Sequence, residues 1–102
     1  MNTANLQLEG LLLALSAVVG VMRRNGMVED GELEEALSEA EAVALHDKGR
    51  AGGVSAANVE AVLFPIRYLR AASKGLPGDA VLPFSSIATR VGQSKRDAQR
   101  PD

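Results

Sequence analysis

The chain contains no cysteine, no tryptophan and a single histidine, and its only aromatic rings are Phe64, Tyr68 and Phe84. Without thiols there is no disulfide scaffold, no cysteine-ligated zinc site and no thiol nucleophile. One imidazole, His46, excludes a two-histidine metal site within one chain. Three rings make no obvious platform for stacking bases or sugars. Positive charge is also absent over a long stretch: residues 29–47 hold eight of the thirteen acidic residues and no Lys or Arg. The remainder carries all eleven basic residues against five acids, so the net charge of −2 conceals an uneven distribution. Such an acidic block either stays solvated as a helix face or pairs within the fold, with another copy or with a basic protein partner.

Catalytic patterns are missing as well. None of the serines at 16, 38, 55, 73, 85, 86 and 94 sits in a Gly-x-Ser-x-Gly turn, and His46 alone could act as an imidazole base. Gly49, Gly52 and Gly53 follow a helical pattern instead of a strand, which suits a chain turn and not a phosphate loop. Glu32, Glu35, Glu39 and His46 share one side of a helix, but Val43 occupies the position where Glu-x-x-His ligation needs an acid. The expectation is a non-catalytic protein with no cofactor and no metal.

At 102 residues, 46% apolar and 24% charged, the chain is one soluble globular domain at most. Helical periodicity runs through most of it and strand alternation is scarce. The first helix is expected over 5–24. At 100° per residue, Glu9, Ser16, Gly20 and Arg23 share a narrow, weakly polar face, and nearly every other direction is apolar. The uncharged run from Gly10 to Met22 spans thirteen residues, short of the roughly 20 that cross a bilayer, and Glu9 blocks its extension. No positive charge precedes the run and no small-residue cleavage site follows it, so membrane insertion is not expected and the location is read as cytoplasmic.

Asn25-Gly26 ends this helix, and Asp30 reads as the cap of a second over 31–47 with an apolar face of Leu33, Ala36, Leu37, Ala40, Val43 and Ala44. The short link makes the pair an antiparallel hairpin. After the glycine-rich loop, Ser55 caps a third helix over 56–73, bent or split by Pro65, with Val59, Val62, Leu63, Ile66 and Leu69 as its buried stripe. Arg67, Arg70 and Lys74 lie along this helix beside Tyr68, as a ridge for anions or as partners for the acids of helix two. Gly75, Pro77 and Gly78 end it. A short helix over 85–92, capped by Ser85, and a flexible basic tail follow. The fold expected is therefore all-α: a bundle of three main helices within 1–75 and a loosely attached segment over 76–102.

Two interaction readings follow. Helix one offers more apolar surface than two neighbours can cover, and small bundles have marginal cores, so copies are expected to associate, first as a two-fold dimer. Leu11, Ala14, Leu15, Ala17, Val18 and Val21 form the expected oligomer interface, and Glu32, Glu35 and Glu39 a face for a basic partner. The other reading concerns the C-terminal part. Ile87-Ala88-Thr89-Arg90-Val91-Gly92-Gln93-Ser94-Lys95-Arg96 resembles the centre of a helix-turn-helix DNA reader. Ala88 stands where a small residue packs, Gly92 where the chain turns, and Ser94 where the recognition helix is capped. The resemblance implies nucleic-acid binding through Arg90, Ser94, Lys95, Arg96 and Arg100. Gln93 departs from the apolar residue usual at its place, and Pro101 interrupts the would-be recognition helix.

Overall fold

The structure, a computed structural model, describes residues 3–47, 56–74 and 81–98. It is all-α, with α1 over Thr3–Arg24, α2 over Asp30–Leu45, α3 over Ala56–Ser73 and α4 over Phe84–Ala98. The glycine-rich loop after α2, the Ser55 cap, the Gly75–Gly78 break and the tail beyond Ala98 lie outside the described residues.

The α1–α2 link is set by a backbone motif that only a residue tolerant of left-handed φ can complete. Gly26 has φ +70°, which places its N–H on the Arg23 carbonyl at 3.1 Å and the Met27 N–H on the Met22 carbonyl at 2.8 Å. These two bonds satisfy carbonyls that the end of α1 would otherwise leave open. The cap of α2 is Glu29, whose N–H donates to Glu32 Oε1 at 3.0 Å, a reciprocal feature of capping boxes. Asp30, expected as the cap, is instead the first helical residue. Its carboxylate is held by Arg23, Nε to Oδ1 at 2.7 Å and Nη2 to Oδ2 at 3.2 Å, across the turn. That bidentate pair holds the Asp30 carboxyl below its usual range.

α3 is the hub, and α1, α2 and α4 all pack on it. α2 spends its packing surface on α3 and not along α1, so the tight turn does not produce a side-by-side hairpin. Pro65 withdraws the donor that would meet the Ala61 carbonyl, yet α3 runs on through it to Ser73. The core joins Leu12 of α1, Tyr68 of α3 and Ile87 of α4, each essentially inaccessible, with Leu8, Phe64, Leu82, Phe84 and Val91 around them. All three rings of the chain meet here. Tyr68 and Phe84 stack at 5.2 Å between centroids, and Phe64 meets Tyr68 and Phe84 at 6.2 and 6.1 Å. Burial pushes the Tyr68 phenol upward, and the nearby Glu9 charge adds to the effect.

α4 is longer than the short 85–92 helix read from the pattern, and it begins one residue earlier. Ser85 is therefore in its first turn, where its carbonyl accepts from Thr89 Oγ1 at 2.7 Å. Phe84 and Ile87 anchor the helix in the core, so it is an integral layer and not a loose appendage. Replacing Ile87 by Ala should cost about 3 kcal/mol by the usual price of emptying a core site. Urea unfolding followed by circular dichroism reads this as a lowered midpoint, which a tethered helix outside the core would not give.

Candidate functional site

Three surfaces carry side chains that could act: the ion-pair seam between α2 and α3, the outer face of α2, and the outer face of α1. The seam is built on Arg70. Its Nη1 donates to Glu41 at 2.6 Å and its Nη2 donates to Glu34, while Arg67 reaches Glu60 at 3.0 Å and Glu41 at 3.8 Å. Lys74 lies 3.9 Å from Glu34. Glu34 and Glu41 keep the Arg70 guanidinium charged, and Arg70 in turn holds the Glu34 carboxyl below its usual value of 4.5. The basic residues of α3 thus meet the acids of α2, and Tyr68, which neighbours them in sequence, points away into the core.

This pairing also rotates α2 from its expected orientation. Leu33, Leu37, Ala40 and Ala44 face inward, but Ala36 and Val43 are exposed, Val43 by 66%. Glu34 and Glu41 take their places on the packed side. Ala36 and Val43 are small side chains, so the hydrophobic gain from burying them is small beside two charge-assisted contacts to one guanidinium.

Glu32, Glu35 and Glu39 are exposed together on the outer side of α2. His46 ends the helix, its N–H on the Ala42 carbonyl at 3.1 Å and its side chain exposed. Among the described residues no three potential ligands come together as a metal site. A cleft bordered by Ser16, Gly20, Arg23, Tyr68, Ser73 and Val81 has about 10 Å³ of space, enough for one water. Its two serine hydroxyls donate to the carbonyls of Leu12 and Leu69, each at 2.8 Å.

The helix-turn-helix geometry is not formed. α4 continues through Gly92, where the motif needs its turn, and on to Ala98. Arg90 is exposed, Ser94, Lys95 and Arg96 lie on the same unbroken helix, and Arg100 is outside the described residues. The pattern misleads because Gly92 can be carried within a helix at a cost of only about 1 kcal/mol.

α1 holds the largest surprise. The side carrying Glu9, Ser16, Gly20 and Arg23 faces the rest of the molecule, Gly20 being buried and the other three partly so. The greasier side faces outward. Leu11, Ala14, Leu15, Ala17, Val18 and Val21, the six residues of the expected interface, are all exposed. Leu11 and Val18 lie at 56% and 55%, Leu6 and Val21 flank them at 48% and 44%, and Leu15 is at 38%. Between Thr3 and Val21 this face carries no charged residue. By length and composition α1 also meets the requirement for a membrane span.

Depressed carboxylates stabilise fully above their unfolded value and lose that contribution as pH falls through the folded one, so the α2–α3 seam should weaken from about pH 4.5 downward. Arg70→Ala removes the short contacts of Glu34 and Glu41, leaving them only the longer ones to Lys74 and Arg67, and should cost about 2 kcal/mol at neutral pH. Thermal melts from pH 7 to pH 3 test both: the gap between wild type and variant should close as the acids protonate. A gap independent of pH would place the effect in packing of the arginine stem. Comparison with protein-family models, curated proteins and solved structures finds no match to this chain.

Proposed function

We propose that this protein is a non-catalytic helical interaction module that assembles with further copies of itself through the outer face of α1. The observation that carries the reading is the exposure of Leu6, Leu11, Leu15, Val18 and Val21 along one uncharged helix face. Monomeric soluble proteins rarely leave so continuous an apolar strip in water, and when they do it marks a contact surface. A partner for this face must itself be free of charge over a similar length. Among the described residues only α1 offers that: the outer side of α2 is acidic, and that of α4 presents Ser85, Ser86, Thr89 and Arg90.

Five roughly half-exposed Leu and Val side chains on each copy supply the apolar driving force for assembly, and complex formation depends on concentration. The acidic outer face of α2, with Glu32, Glu35 and Glu39, stays available to a basic partner in such an assembly.

A lipid surface is the competing occupant, favoured by the length of α1. Helices that lie in a membrane interface usually carry Lys and Arg along their polar side. In α1 the basic residues are only Arg23 and Arg24, at one end, and Arg23 is turned to Asp30. Sedimentation velocity without detergent separates the readings. Wild type should sediment as a multimer in the micromolar range, and Val18→Asp should revert to a monomer of unchanged helix content. A wild-type monomer that binds phosphatidylcholine–phosphatidylglycerol vesicles would instead assign the face to lipid.

A further inference from the structure

Resting on the self-assembly reading above, we infer that two copies pair their α1 helices antiparallel, crossing at Ala14. Among the large apolar residues of α1 exposure is highest at Leu11 and Val18, and a line of exposed residues through these two runs from Gln7 by way of Leu11, Ala14 and Val18 to Val21. These positions are spaced by four, three, four and three residues, the repeat with which one helix seats its side chains between those of another. The line is nearly symmetric about Ala14. Reversing one copy sets Ala14 against Ala14, Leu11 against Val18 and Gln7 against Val21, large side chains beyond a small centre that lets the backbones approach.

Charge selects the reversed arrangement over the parallel one. Only five residues separate α1 from α2, which brings the acidic block of residues 29–47 with it. Parallel helices would gather both acidic blocks, and both exposed Arg24 side chains, at one end of the pair. Antiparallel helices separate them by the length of α1, about 33 Å at 1.5 Å per residue, several times the screening distance at physiological salt. The helix dipoles then also oppose each other.

The absence of native cysteine makes disulfide trapping a clean test. In an antiparallel pair crossing at Ala14, the two copies of residue 21 lie about 21 Å apart along the axis, beyond disulfide reach. Mild oxidation of Ala14→Cys should double its mass on a non-reducing gel, as should an equal mixture of Gln7→Cys and Val21→Cys. Val21→Cys alone, and Ala42→Cys on the exposed side of α2, should stay single. Self-trapping of Val21→Cys as efficient as that of Ala14→Cys would overturn the antiparallel order and leave self-assembly standing. No trapping at any α1 position, with a monomer by sedimentation, would overturn both.

Discussion

The packing of Leu12 against Tyr68 and Ile87 decides which side of α1 turns inward, and the rest of the molecule follows from that choice. With Leu12 seated in the aromatic cluster, Ser16, Gly20 and Arg23 fall on the inner side a turn or more further along. Gly20 brings no side chain into the interface, Ser16 satisfies its hydroxyl on its own helix, and Arg23 reaches the first residue of α2. The inner face is thus less apolar but more compact. The outer face keeps Leu11, Leu15 and Val18 exposed.

α2 and α4 attach to this frame by different physics. α4 is held by ring packing and an inaccessible Ile87, and α2 by Arg70 and Arg67 reaching Glu34 and Glu41 beside a stripe of Leu33, Leu37, Ala40 and Ala44. A contact with this much charge gains less from burial and depends more on its protonation state. The attachment of α2 should therefore respond to pH more than the attachment of α4 does.

Helix positions were largely legible in the sequence. Gly26 announced the end of α1, and the periodicity of Val59, Leu63 and Ile66 marked α3 over its observed span. Leu11, Ala14, Leu15, Ala17, Val18 and Val21 were expected at a contact surface because α1 had more apolar directions than neighbours, and all six are exposed. What the sequence could not show was rotation. Ala36 and Val43 look like core positions of α2 until the arginines of α3 draw Glu34 and Glu41 inward, a pairing across about thirty residues. Tyr68 and Phe64 were likewise outside the stripe expected for α3, because ring clustering with Phe84 depends on the placement of α4. The turn at Gly92 failed for the opposite reason, a local pattern overruled by helix continuation.

The central claim is that the outer face of α1 is covered in solution, and the accessibility of its methyl groups measures this directly. In a methyl-labelled sample at a concentration where assembly is complete, a soluble paramagnetic probe should leave Leu11 and Val18 as unperturbed as the core residues Leu12 and Leu63. Full broadening of Leu11 and Val18 beside protected Leu12 and Leu63 would mean a folded protein whose face stays bare, and would contradict the account.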